Sequence, residues 1–315
     1  MNINIKKNKL SNNFLDYFSL FILSAIWGSS FLFIKISVET IPPSVLTFLR
    51  LLIASFFLII YLKIFTNIRI FEKKKFKQMI LIAVLGNVIP FNLIAWSETN
   101  IDSVVAACLI GMMPIFTYII SNFFNPNEKI NIRIFFGLIV SFFGMCFLIF
   151  NENNFSTYSV DFISNLLVVL AAISYAVSAN YVRKFRNTSA LQVATSSTII
   201  ATVISLPVFL CFLFINETED YISIFRLISV KSSISCLVLG LLCTGFAVVV
   251  FFRLIKNQGP GFASQSNFFI PVFGIIWSYI FLDENLTLKL YLSTILIVAG
   301  LFFIHYGRKL NQKIQ

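Results

Sequence analysis

What most limits the fold of this chain is a succession of ten apolar runs, each near the roughly 20 residues that a helix needs to cross a lipid bilayer. They fall at about 17–38, 44–65, 78–98, 103–124, 132–150, 163–182, 190–215, 233–255, 261–282 and 287–306. Inside lipid the backbone can satisfy its polar groups only as a helix or as a closed barrel. Barrel strands alternate apolar and polar residues, and these runs do not, so helices remain. The residue balance agrees: only 12% of the 315 residues are charged, against about a quarter in a soluble domain. The expected fold is an all-α membrane protein with ten transmembrane helices. The first run is too long for the core of a secretion signal and no small-residue cleavage site follows it, so it reads as the first span.

Charge fixes the expected orientation, because Lys and Arg gather in cytoplasmic loops. Lys6, Lys7 and Lys9 precede the first run, and Arg69, Lys73, Lys74, Lys75 and Lys77 lie between the second and third. Lys129 and Arg133 follow the fourth, Arg183, Lys184 and Arg186 the sixth, Arg253 and Lys256 the eighth, and Arg308, Lys309 and Lys313 close the chain. The alternate connections carry acids such as Glu39, Glu98, Asp102 and Asp161. Both termini are therefore expected in the cytoplasm, as an even number of spans requires. This topology accounts for the net charge of +11 and leaves no call for a nucleic-acid partner.

The chain also repeats itself. AIWGSSFLFIK (25–35) lies over ISYAVSANYVR (173–183) at an offset of 148, which matches Trp27 with Tyr175, Ser30 with Ser178 and Lys35 with Arg183. Asn100, Ala106 and Pro114 match Asn257, Ala263 and Pro271 at an offset of 157, and Glu128 answers to Glu284 one residue out of step. Each half has five spans, an odd number, so the second half must insert upside down relative to the first. Inverted repeats with interrupted helices belong to secondary transporters, whose site lies near mid-bilayer between the halves.

With those residues in view, the chain resembles the EamA branch of the drug/metabolite transporter superfamily. The likeness is carried by AIWGSSFLFIKISVETIPP (25–43) with Arg50, by LGNVIPFNLIAWSETNIDSVVAA (85–107), by the Pro114-to-Glu128 spacing with GLIVSFFG (137–144), and by Pro271 and Glu284. It spans essentially the whole chain. The resemblance implies two inverted five-helix EamA repeats, residues 1–150 and 151–315, around a central cavity. It further implies a permease of the bacterial inner membrane that moves a small metabolite by alternating access without ATP. Export of an amino acid or related compound is the expected activity. Its expected partners are a small-molecule solute and the lipid bilayer, with a homodimer compatible and no cofactor required.

The residues that could meet a solute are the polar ones that lipid would reject. Asn87, Pro90 and Asn92 crowd one apolar run, and an amide facing hydrocarbon costs several kcal/mol. Asn92 shares a helix face with Trp96, while Asn87 lies about 140° away on an ideal helix. Pro90 leaves the carbonyl of Gly86 without its usual donor. Trp27 with Ser30, and Tyr175 with Ser178, form aromatic-plus-hydroxyl pairs on symmetry-related helices and suit a pocket for a part-apolar solute, or equally serve as packing and interface anchors. Gln265 and Asn267 approach the break at Pro271, and Met112 and Met113 stand beside the break at Pro114. Pro90, Pro114 and Pro271 are the expected helix breaks and gating points. Arg50 lies roughly 10 Å inside the second span, where an arginine either has a functional charge role or else snorkels to the outer surface or pairs with a loop acid.

Two other classes compete with a carrier. An intramembrane enzyme would need a catalytic constellation, yet His305 is the single histidine and no paired membrane aspartates occur. The five cysteines, Cys108, Cys146, Cys211, Cys236 and Cys243, sit in apolar runs without metal-ligand spacing and read as small core residues, so no metal site is expected. A channel or purely structural protein would leave the matched polar helices without a purpose, and no selectivity-filter-like loop is visible.

Overall fold

The computed structural model describes residues 2–66, 68–72, 75–124, 131–149, 155–183, 185, 187–215, 227–282 and 287–314. The Glu128 and Glu284 match, the boundary at 150 and 151, and the loop cations Lys73, Lys74, Lys129, Lys184 and Arg186 lie outside these residues. Among the described residues every regular element is a helix, without strands. Helix α1 is Asn2–Val38, α2 is Pro43–Phe65 and α3 is Phe76–Ser97. The fourth, α4, is split into Ser103–Ile110 and Met113–Phe124, and α5 is Ile132–Ile149. Then come α6 (Phe155–Val182), α7 (Ala190–Ile215) and α8 (Val230–Gln258). The ninth, α9, has three pieces: Pro260–Ala263, a tight 3₁₀ stretch over Ser264–Phe268, and Ile270–Phe281. Helix α10 is Leu288–Ile314.

Eight of these, α1 to α4, α6 to α8 and α10, contain a stretch long and apolar enough to cross a membrane. In α5 the apolar stretch is shorter, Ile132–Gly144. The ninth run, expected as one span from 261 to 282, is a helix broken in the middle. The fourth breaks as well, at Gly111 and Met112. In both cases a proline follows the break: Pro114 and Pro271 are the second residues of the helical pieces that resume there. Proline suits the first turn of a helix, where its missing N–H costs nothing.

Exchange of the two halves maps α1 onto α6, α2 onto α7, and so on to α5 onto α10. The main helix contacts obey that exchange. Helix α3 packs on α6 and α8 on α1; α4 packs on α6 and α9 on α1; α2 packs on α8 and α7 on α3. The pairs α2 with α7, α4 with α9, and α5 with α10 map onto themselves. Helices α2 and α7 are tied near their centre by hydroxyl groups, Ser55 to Thr202 at 2.8 Å. The chain is thus two five-helix units interlocked about an internal two-fold, with apolar residues such as Phe56, Phe142, Phe143, Ile234 and Phe302 on the outside, where lipid would lie.

The most extensive of these pairings, α5 with α10, depends on absent side chains. A Cβ built on Gly137 would stand 2.5 Å from the carbonyl oxygen of Gly300, and one on Gly144 would stand 2.9 Å from Leu296 Cβ. Ser141, one turn from Gly137, donates to the carbonyl of Ile297 at 3.2 Å. Small residues that let backbones approach are a main source of helix affinity in lipid. Gly300→Leu is expected to force α5 and α10 apart and lower stability by about 1–3 kcal/mol. The check is the melting temperature in detergent, which should fall.

Candidate functional site

The site begins with a proline. Pro90 has no N–H, and its ring crowds the carbonyl four residues back, that of Gly86. The chain answers with a widened π turn over Val84–Val88, in which the N–H of Ile89 reaches back five residues to Val84. Such turns strand carbonyl groups, and lipid cannot hydrate them. Asn92 Nδ2 donates to the carbonyl of Val88 at 2.8 Å, and Ser174 Oγ of α6 donates to that of Leu85 at 2.8 Å. The same device recurs in α8, where Leu239–Phe246 is also π-helical. There Thr244 Oγ1 donates to the carbonyl of Leu239 at 2.8 Å, and Trp27 Nε1 of α1 donates to that of Cys243 at 3.2 Å. Each half therefore supplies a donor to the widened turn of the other.

Between these turns lies a cavity of about 70 Å³, room for roughly five waters at 10–15 Å³ each. Its walls come from α1, α2, α3, α4, α6, α8 and α9, and most lining residues come in symmetry-related pairs. At the offset of 148 these are Trp27 and Tyr175, Ser30 and Ser178, and Phe31 and Ala179. At 157 they are Gly86 and Cys243, Phe91 and Val248, Ile94 and Phe251, Ile110 and Asn267, and Met113 and Ile270. Trp27 packs edge-on against Phe251 at 4.8 Å between ring centroids, and Tyr175 against Phe91 at 6.4 Å. Gly86 is glycine because α6 passes close by: a Cβ there would meet Ser178 Oγ at 2.5 Å.

The polar groups break the symmetry. Asn87 is 1% exposed, and neither amide atom has a hydrogen-bond partner. Buried amides without partners are rare in native proteins, because each costs about 1–3 kcal/mol. Asn267 spends its amide nitrogen on the carbonyl of Ser264 (3.0 Å) and on Met113 Sδ (3.2 Å). The hydroxyl of Ser30 donates to the carbonyl of Trp27 at 2.6 Å, which leaves its oxygen as an acceptor. Arg50 is 6% exposed; its Nε donates to Thr244 Oγ1 at 2.6 Å, and its guanidinium carbon lies 3.9 Å over the ring of Phe91. It has no ion-pair partner among the described residues, and it lines the cavity.

Six of the nine expected solute-facing residues therefore meet: Trp27, Ser30, Asn87, Tyr175, Ser178 and Asn267. Asn92, Trp96 and Gln265 lie off the lining of this cavity. Asn87 takes the inward face of α3, so Asn92, five residues on, turns back onto its own helix to satisfy Val88. Trp96 is 42% exposed at the end of α3, a position that suits interface anchoring. Gln265 sits half-buried in the tight stretch of α9, whose turn points Asn267 inward instead. Pro90, Pro114 and Pro271 are buried and off the lining. Pro271 packs into the α4 break, where a Cβ on Gly111 would stand 2.6 Å from its ring. Arg50 does not snorkel, whereas Lys35 leaves the lining and donates to the carbonyls of Glu98 and Ile101 at 2.9 and 2.8 Å. Phe91, Phe251 and Thr244 were missed. Thr244 could have been found, since it answers to Asn87 at the same offset of 157; the two phenylalanines are hidden among 38.

Comparison with known proteins gives a consistent result. A family model described as the EamA-like transporter family matches residues 15–150 and again 162–306. The chain is 26% identical over 282 residues to an uncharacterized transporter, YoaV, of Bacillus subtilis (strain 168), covering 89% of this chain and 93% of that one. It is 22% identical over 298 residues to a probable amino-acid metabolite efflux pump of Escherichia coli (strain K12), covering 93% and 96%. A solved crystal structure superposes with a TM-score of 0.66 at 16% identity, over 92% of this chain and 97% of that chain, which shows a shared fold. A membrane bundle of interlocked halves, a cavity between them and a family match to each half lead to one statement: the chain belongs to the EamA-like transporter family.

Proposed function

We propose that the protein is a secondary carrier that moves a small metabolite, an amino acid or related compound, out of the cell through this cavity. The observation that carries the reading is Asn87: a buried amide, unanswered by protein, facing a space shared by both halves. Native membrane proteins do not keep such a group without a use, because an apolar residue would be more stable there. Aromatic rings supply a surface for an apolar body, and Ser30, Asn87 and Asn267 supply the few fixed polar contacts that small-molecule sites use. The efflux role named for the Escherichia coli relative supports the direction and the substrate class.

The architecture supports alternating access as the mechanism. The repeats, residues 1–150 and 151–315, rock about the cavity so that it opens to one face at a time. The helix breaks beside Pro114 and Pro271 lie where α4 and α9 cross, and they let the outer parts of those helices swing without disturbing the walls. Two ties hold opposite ends of the bundle in this structure. Lys35 holds the end of α3, and Asp16 of α1 accepts from Gln258 Nε2 at 2.7 Å at the end of α8. The protein lies in the inner membrane with both termini in the cytoplasm, as the loop cations direct.

In proteoliposomes, flux is expected to be saturable and competed by related solutes; unsaturable ion current would indicate a pore and sink the carrier reading. Asn87→Leu should reduce flux at least about tenfold while leaving the melting temperature unchanged or higher, since it removes an unanswered amide. Loss of stability with normal flux would instead make Asn87 structural. A reporter that is active only outside the cytoplasmic membrane, fused to the C-terminus, should stay silent.

A further inference from the structure

Among the described residues, Arg50 stands out as a charge without an ion-pair partner in the wall of the cavity. Its Nε is taken by Thr244 and its flat face by Phe91, and the recorded contacts leave both terminal amino groups unused among the described residues. Those two groups form the fork that binds carboxylates with paired hydrogen bonds. No Asp or Glu lines the cavity among the described residues. Glu98 acts on Arg50 at Coulombic range, and Lys35 lies beside the same residue, donating to its backbone carbonyl. Lys35, Arg50 and Glu98 together leave one net positive charge at this level of the bundle. A buried, desolvated cation calls for an anion from somewhere.

From this geometry we infer that the solute supplies that anion: Arg50 and Asn87 form a carboxylate subsite, and the preferred cargo is a small organic monoanion rather than a zwitterion. The inference rests on the carrier reading and narrows its substrate. A monoanion leaves the loaded cavity neutral, whereas the ammonium of an amino acid would sit within a few ångströms of the guanidinium with only amide and hydroxyl oxygens to receive it. The aromatic surfaces of Trp27 and Phe251 favour an organic body over an inorganic ion. The fitting class is therefore an amino-acid relative that has a carboxylate but no ammonium, such as a 2-oxo acid.

Three probes with one branched skeleton test this: 3-methyl-2-oxobutanoate, valine and the neutral 3-methylbutanamide. Binding is followed by quenching of tryptophan fluorescence in detergent, which Trp27 reports, and transport by flux into proteoliposomes. The oxo acid should bind at least about tenfold tighter than valine or the amide, because like charges repel strongly at such short range. An inside-positive potential should accelerate its uptake, and inorganic phosphate should not displace it. Arg50→Gln should weaken oxo-acid binding and flux about 100-fold and abolish the preference for the oxo acid over the amide, while Arg50→Lys should fall between. Equal or better binding of valine or the amide to the unaltered protein overturns the inference, as does full oxo-acid affinity in a folded Arg50→Gln protein. Should Arg50→Gln fail to fold, the ranking of probes on the unaltered protein decides alone. Saturable flux of a neutral solute with no oxo-acid binding would remove the anion assignment and keep the carrier; absence of saturable flux for every solute would remove both.

Discussion

Lipid offers nothing to a backbone N–H or C=O, so every departure from helix in this chain must be answered by protein. The rest of the structure follows from how it is answered. Pro90 forces a widened turn in α3, and the stranded carbonyl of Leu85 is met by Ser174 from the opposite half. The widened turn of α8 strands the carbonyl of Cys243, and Trp27 from the opposite half meets it. The two units are therefore joined by more than apolar contact. Each repairs a defect in the other, and the defects lie beside the cavity. Irregular backbone at membrane depth is tolerated where it is enclosed in protein or lines a cavity, and here it does both.

The walls and the polar groups of the cavity obey different rules. The walls are built twice, with Trp27 across from Tyr175 and Ser30 across from Ser178, because the two halves share one plan. The polar groups are built once. Asn87 of the first half has Thr244 as its counterpart, and Thr244 has turned away from the solute space to hold Arg50. Symmetry thus supplies a symmetric hollow, and single departures from it supply chemical direction. A cavity lined identically from both sides would bind a solute in two orientations alike; in the proposed subsite Arg50 allows one.

Much of this was readable from the residues. Ten apolar runs, the alternating loop charges and the offsets of 148 and 157 carry the span count and the paired halves, because hydrophobic length and repetition are properties of local sequence. Six cavity residues were readable for a related reason: a polar side chain in a lipid-length run has few other places to go. Expectation and geometry part where facing depends on backbone detail. Asn92 and Asn87 look equally suitable at 100° per residue, but a widened turn changes the phase of the helix, and only one of them can then point inward. The break within α9 had the same effect on Gln265. Arg50 was undecidable between pairing, snorkelling and function, because its holder, Thr244, lies almost two hundred residues away and becomes a neighbour only through the fold.

The glycine seam between α5 and α10 stands apart from the cavity, and neither helix contributes to its lining. These are the last helices of their respective halves, locked backbone to backbone across the two-fold. A joint that tight has little room to slide, so in the proposed carrier it would serve as a fulcrum. Displacement must be smallest there and grow with distance along the lever arms formed by the other eight helices. In the proposed carrier the solute would then travel through the part of the molecule that moves, while the part that holds it together stays still.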